Sequence, residues 1–218
     1  ASSLTSCTSS TGNASFARGS LQNLVDGTGY NSAFGHESIN AMTGGGYGSA
    51  LGYESLHDVT SGSENTGIGY RAGHKITTGA TNTMLGSQAG GGLTTGGENI
   101  VIGRAACSNS NSTTFAQNVV IGADAVQGGA FTGSTNVVVG RQTGYQLTSG
   151  SNNVLIGHGA GNNDGPNGQI TSGSNHIILG DNNITYFGVK VSLTATSDER
   201  DKAEITDFTK GLDIINSL

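Results

Sequence analysis

The sequence predicts an all-β fold, a parallel β-solenoid or β-roll of about ten coils with seventeen residues in each coil. Three observations predict it: a five-residue motif recurs at a constant step, columns of small and apolar residues keep the same phase, and 38 of 218 residues are glycine. Glycine adopts positive φ without steric cost, so this composition favours many short strands joined by tight turns. Collagen is excluded, because the chain has one proline and no three-residue period.

The recurring motif is Asn-x-x-apolar-Gly. It is intact in seven segments; in three others glycine or histidine replaces the asparagine, or alanine replaces the glycine. The ten segments lie at 13–17, 31–35, 48–52, 65–69, 82–86, 99–103, 118–122, 136–140, 153–157 and 176–180. The step is seventeen residues from Gly35 to Gly103 and varies afterwards. Such a period indicates units that bury their apolar surface only against their neighbours.

Three further columns run in phase with the last residue of the motif, which we call the ladder glycine. A small residue lies three positions after it, an apolar residue seven after it, and often a second glycine ten after it. We expect two or three short strands per coil, with the apolar columns stacked inside. The asparagines should form a ladder or bind backbone groups in the turns.

The strand segments change in character along the chain. Residues 14–16 and 32–34 mix small, polar and aromatic side chains, whereas the segments from 100–102 to 177–179 are apolar at every position. Because successive strand residues point to opposite faces, both faces of the late strands should be buried. One face fills the core of the coil. We predict that the other, including Val138, packs against identical chains in a homotrimer. The alternative is a wide monomeric solenoid with a loop over that face.

The repeat is predicted to occupy residues 1–183, followed by a connecting strand at 184–196. From residue 197 to 218 charged residues become frequent, and apolar residues recur at helical spacing at Ile205, Phe208, Leu212 and Ile215. We therefore expect a short C-terminal helical segment that belongs to a different module, which we expect to be incomplete.

The junction reads Thr196-Ser197-Asp198-Glu199-Arg200-Asp201-Lys202. It resembles the Ser-Asp-x-Arg-x-Lys signature that opens the self-cleaving intramolecular chaperone domain of phage tail fibres and tailspikes. The resemblance implies that Ser197 and Lys202 are a catalytic dyad, with a cleavage junction at Thr196, Ser197 and Asp198. Lysine with a lowered pKa can activate a serine hydroxyl for attack on a neighbouring carbonyl. At most, this is a single-turnover peptidase. The alternative is an ordinary serine and lysine at the start of a charged helix.

The repeat has a resemblance of its own. The pattern Asn-x-x-Ile-Gly-x-x-Ala is similar to the head repeats of trimeric autotransporter adhesins, which implies a trimeric β-roll. The chaperone-like junction favours the phage protein over the adhesin, and implies an extracellular virion protein, the shaft of a phage tail fibre or tailspike. Its partners would be two identical chains, other virion tail proteins and a host cell-surface glycan or protein receptor. The alternatives are a bacterial trimeric adhesin head and a tailspike that depolymerises polysaccharide.

A candidate binding surface follows from the residue after each ladder glycine, because these positions stack in a regular solenoid. We call the following six residues the stripe: His36, Tyr53, Tyr70, Arg104, Arg141 and His158. Aromatic and basic side chains in a row suit a glycan or an anionic polysaccharide. The alternative is a solvated face that only shields the stack.

Composition excludes several other function classes. A net charge of −6 argues against a nucleic-acid partner, which requires clustered Lys and Arg. No apolar run approaches eighteen residues, so no membrane insertion is expected. Cys7 and Cys107 are far apart and lack histidines at ligand spacing, so we expect no metal site and no cofactor. The chain begins at Ala1 with no signal peptide, which is expected of a fragment or a processed product.

Overall fold

The protein is a ten-stranded parallel β-solenoid in a computed structural model that describes residues 12–25, 29–109, 112–163 and 168–188. The strands are β1 (Ala14–Phe16), β2 (Ser32–Phe34), β3 (Ser49–Leu51), β4 (Thr66–Ile68), β5 (Thr83–Leu85), β6 (Ile100–Ile102), β7 (Val119–Ile121), β8 (Val137–Val139), β9 (Val154–Ile156) and β10 (Ile177–Leu179). Each strand pairs in parallel with the next along the chain, so sequence order is also spatial order. The predicted all-β repeat solenoid is confirmed.

Each strand is the centre of one Asn-x-x-apolar-Gly segment, and the pairing keeps the segments aligned. Ile100 pairs with Val119, for example, although these coils differ in length from the earlier ones. The prediction of two or three strands per coil is wrong for the described residues, which form one strand in each coil. The rest of each coil consists of turns that bond to the adjacent coils.

These turns contain residues in the left-handed conformation at fixed columns. In the first nine coils they lie five residues before, two after and four after the last residue of the motif; for the coil of Gly69 they are Glu64, Arg71 and Gly73, with φ of 58°, 54° and 60°. The amide of Glu64 donates to the Gly46 carbonyl at 2.9 Å, and that of Arg71 donates to the Tyr53 carbonyl at 2.9 Å. A left-handed residue ends the strand, yet its amide remains bonded to a neighbouring coil, so the coil turns without losing hydrogen bonds.

Thr81 occupies one of these columns with φ of 59°, although left-handed backbone is unfavourable for a β-branched residue. We expect Thr81→Gly to stabilise the protein by about 1 kcal/mol, because glycine removes the steric penalty. Thr83→Gly is the matched control, since Thr83 lies in β5 and glycine weakens strands. The midpoint of urea denaturation should rise for the first variant and fall for the second. A fall for Thr81→Gly would contradict this account.

The ladder glycine is required by stacking. Gly103 has φ of 133°, and a Cβ atom there would stand 2.6 Å from the carbonyl carbon of Gly122 in the next coil. The coils therefore approach each other closely at this column, and among the ten described coils only the first has a side chain there, the methyl group of Ala17. This close approach explains why the glycine recurs while its neighbours vary.

The core lies inside the coils and follows the predicted columns. The middle residue of nearly every strand is buried, as are the small residue three positions after the ladder glycine and the apolar residue seven after it. In the two longer coils after Gly103, buried Phe115 and Phe131 fill the interior, with ring centroids 5.3 Å apart. Cys107 is fully buried, and burial raises the pKa of its thiol. The two longer coils thus fill their interior with larger side chains, and their strands keep the same pairing register as the others.

The predicted asparagine ladder is present and is buried. The side-chain oxygen of Asn82 accepts the backbone N–H of Asn99 at 3.1 Å and its Nδ2–H at 2.9 Å. The Nδ2 of Asn82 donates to the Gly96 carbonyl at 3.0 Å. Each buried amide therefore joins its own coil to the next, and its removal would leave buried polar groups unpaired at a cost of about 1–3 kcal/mol each.

The chain divides into two compact units, Ala1–Ile184 and Thr185–Leu218. The solenoid belongs to the first. Residues 184–188, the described part of the predicted connecting strand, have no strand pairing. The rest of that strand and the predicted helical segment lie outside the described residues.

Candidate functional site

The main surface feature is the outward face of the sheet, formed by the first and third residues of each strand. We call it the outer ribbon. The third residues form a column that is apolar in all ten strands: Phe16, Phe34, Leu51, Ile68, Leu85, Ile102, Ile121, Val139, Ile156 and Leu179. The first residues are small or polar up to Thr83 and apolar from Ile100 onward. At the usual strand spacing, ten strands make a ribbon about 43 Å long.

Many side chains of the outer ribbon are open to solvent. Phe16 is 71% exposed, Leu51 54% and Ile177 73%. Single exposed apolar residues are normal, but a continuous apolar band of this length indicates an interaction surface. The sequence predicts such a surface, but the structure corrects which residues belong to it.

Val138 points to the opposite face of its strand from the one that the sequence predicts. It is the middle residue of β8 and is fully buried in the core of its own coil, rather than lying at an interface as predicted. Val137 and Val139 are the outward residues of that strand. When every position of a strand is apolar, alternation alone cannot tell the inward from the outward face.

In the early coils the stripe forms a continuous aromatic stack. The rings of His36 and Tyr53 lie 5.2 Å apart with an angle of 5° between their planes, and those of Tyr53 and Tyr70 lie 5.5 Å apart at 13°. The Arg71 guanidinium lies 5.3 Å from the centre of the Tyr70 ring. The ring faces are therefore turned towards neighbouring coils, and mainly ring edges and hydroxyl groups face outward.

Charged partners surround this stack. Arg71 Nε donates to Glu54 Oε2 at 2.6 Å, and this hydrogen bond lowers the pKa of the Glu54 carboxyl. The hydrogen bond between Tyr53 and Glu54 in turn raises the pKa of the Tyr53 phenol. Sugar rings stack on free aromatic faces, which this arrangement largely covers. The early stripe is thus better suited to hydrogen bonding than to stacking on a ligand.

The late part of the stripe is charged rather than aromatic. Arg104 pairs with Asp124 at 2.6 Å, Arg141 contacts His158 at 3.4 Å, and His158 lies 3.5 Å from Asp181. Ser87 and Ala123 interrupt the charged and aromatic side chains of the column. The structure therefore brings the six predicted residues into one line but divides them into two groups of different chemistry.

The predicted dyad of Ser197 and Lys202, and the junction from Thr196 to Asp198, lie outside the described residues. Their roles stay predictions from the motif. Within residues 12–25, 29–109, 112–163 and 168–188, no three His, Cys, Asp or Glu residues are grouped so that they could hold a metal ion.

Sequence reasoning missed a column of threonines at one corner of the coils, formed by Thr43, Thr60, Thr77, Thr94, Thr113, Thr132, Thr148 and Thr171. Both the amide and the hydroxyl of Thr60 donate to the Thr77 carbonyl, at 2.9 Å and 3.1 Å. Thr77 binds Thr94 in the same way. The column was readable as a threonine eight residues after most ladder glycines, and its role is to tie successive coils together.

Comparison with models of protein families, with curated proteins and with solved structures finds no match for this chain. A helix capable of crossing a bilayer is not found among the residues that the structure describes.

Proposed function

We propose that the chain is the shaft of a homotrimeric fibre, part of a phage tail fibre or tailspike that reaches the host cell surface. The observation that carries the proposal is the outer ribbon, whose third-residue column is apolar from Phe16 to Leu179. A free solenoid would leave this band in water. A partner with the same coil spacing can cover it along its whole length, and an identical chain has that spacing.

The width of the outer ribbon, taken together with the residues that border it on each side, supports three copies. From the residue before the ladder asparagine to the residue after the ladder glycine, the chain covers six steps, or about 20 Å. Three ribbons of this width, arranged as the sides of a triangular prism, face a common axis at a distance of about 6 Å. That is close to half of the usual 10 Å separation of packed sheets, so side chains from three copies would fill the centre. Four copies would leave a hole.

The remaining parts of the proposal rest on sequence. Ser197 and Lys202 would belong to a chaperone module that assists trimerisation and then releases the shaft by cleavage. The shaft would contact other virion tail proteins and a host cell-surface glycan or protein receptor. The second candidate is a bacterial trimeric adhesin head, favoured by the buried asparagine ladder. The depolymerase alternative has less support, because Glu54 and Asp124 are already paired with arginines.

Light scattering coupled to size exclusion tests the assembly. At micromolar concentration the protein should have three times the chain mass of 21.8 kDa. A monomer at this concentration would overturn the proposal, because the outer ribbon would then remain in water without a partner chain to cover it. A denaturing gel of the full-length gene product distinguishes the phage fibre from the adhesin. A phage fibre should release its shaft by cleavage at Ser197, whereas an adhesin should show no such cleavage.

A further inference from the structure

Two columns border the outer ribbon. The leading flank consists of the residues five before each ladder glycine: Tyr30, Tyr47, Glu64, Thr81, Glu98, Gln117, Thr135, Asn152 and Asn175. The trailing flank consists of the residues one after it, in the same coils: His36, Tyr53, Tyr70, Ser87, Arg104, Ala123, Arg141, His158 and Asp181. Each strand thus has one flank residue before it and one after it, and we call such a pair a row.

The flanks are accessible in the single chain. Tyr30 and Tyr47 are 60% and 62% exposed and stack on each other at 5.4 Å. On the other side, Tyr53 and Tyr70 are 43% and 46% exposed. When ribbons surround a common axis, the leading edge of one copy meets the trailing edge of the next.

We propose that the leading flank of one copy packs on the trailing flank of the next copy in register, row against row, with Glu98 opposite Arg104 and Tyr47 opposite Tyr53. This inference rests on the proposed homotrimer and specifies its contacts. The occupant of each flank is therefore a second copy of this chain, and the stripe, whose six residues all belong to the trailing flank, serves this contact between copies instead of contact with a receptor.

Closure of the ring fixes the register. In a cyclic assembly every copy is related to the next by rotation alone, so all copies stand at the same height. Equivalent residues of successive strands pair directly, so each row runs across the direction of stacking, and with this direction along the shared axis equal rows meet. A shift of one row at each interface would accumulate around the axis and produce an open helical filament. It would also place Glu98 opposite Ser87 or Ala123 and remove the charge pairing.

The composition of the rows agrees with zero shift. Aromatic rings meet aromatic rings in two rows, Tyr30 with His36 and Tyr47 with Tyr53, and small residues meet in the row of Thr81 and Ser87. Glu98 meets Arg104, whose side chain is 64% exposed although it binds Asp124 within its own chain. Guanidinium has five N–H donors, so Arg104 can bind both carboxylates. A shift of two rows would pair Glu64 with Arg104 and Glu98 with Arg141, but three copies shifted in this way would not close into a ring.

Disulfide trapping tests the register. The variant Thr81→Cys/Ser87→Cys, made in a Cys7→Ser background, places small thiols in one row of opposite flanks. Cys107 is buried in the core and needs no replacement. Within one chain the two positions stand on either side of β5, and the three-residue strand alone spans about 7 Å, the limit for a disulfide. Mild oxidation should produce a covalent trimer on a non-reducing denaturing gel, lost on reduction.

The matched control is Thr81→Cys/Ala123→Cys, which places the two thiols two rows apart. It should give no covalent dimer or trimer on the gel. Covalent trimers from the control, or none from the same-row pair while light scattering still shows a trimer, would overturn the register and leave the proposed shaft intact. A covalent dimer alone would overturn both, as would a protein that is monomeric before oxidation.

Discussion

Replacing Ile121 by aspartate should convert the proposed trimer into folded monomers. Ile121 is the third residue of β7, so its side chain belongs to the outer ribbon and is only partly buried in the single chain. In the proposed assembly three aspartates would meet near the axis without cations. Burying an unpaired charge costs about 3–5 kcal/mol, which corresponds to a loss of more than a hundredfold in affinity. Sedimentation should give the monomer mass, and circular dichroism should retain the β-sheet signal.

Two neighbouring sites make this prediction specific. Val120→Asp changes the adjacent residue, which is fully buried inside the coil, so it should abolish folding itself. Thr78→Asp adds the same charge at an exposed turn away from the outer ribbon, so the trimer should persist. If Ile121→Asp remains trimeric, or unfolds as Val120→Asp does, the outer ribbon is not the assembly surface.

The fold was predictable because aligning the repeated motifs in the sequence also aligns the strands that pair. Once Asn99 and Asn118 are aligned, the pairing of β6 with β7 follows, including the two extra residues of that coil. The number of strands per coil was not predictable. Thr81, Glu98 and Gln117 all adopt left-handed φ, yet none is a residue type that signals it. These turns exist because bonds between coils outweigh the local preference.

The candidate surface was predictable in outline and not in detail. The positions of the stripe follow from the period, and the line of six residues is where the sequence places it. Their use is decided by orientation: Tyr53 and Tyr70 turn their faces along the stack, and Arg104 binds Asp124. Orientation of this kind depends on neighbouring coils, which a single motif does not contain. The same holds for Val138, whose inward direction is set by the phase of a three-residue strand.

Cleavage at the junction provides the second large effect. Expressed as the full-length gene product, the protein should cut itself beside Ser197, and Ser197→Ala should leave one long band on a denaturing gel. The change removes the attacking oxygen, without which no ester intermediate forms. Lys202→Ala should slow cutting about 10²–10⁴-fold, because general-base assistance contributes about that much. Both variants should still form trimers, since in the proposed assembly the outer ribbon and not the dyad holds the shaft together.

Cleavage should also depend on assembly. Ser197 and Lys202 are five residues apart in a short segment, and productive alignment of a nucleophile with its base contributes as much as the groups themselves. We therefore expect Ile121→Asp, with its dyad unchanged, to cut more slowly in proportion to the trimer it loses. Ser192→Ala is the control, because it removes a nearby hydroxyl outside the motif and should cut at the parental rate. If Ser197→Ala cuts as fast as the parent protein, or if a trimeric parent never cuts, residues 197–218 are a plain cap on the solenoid.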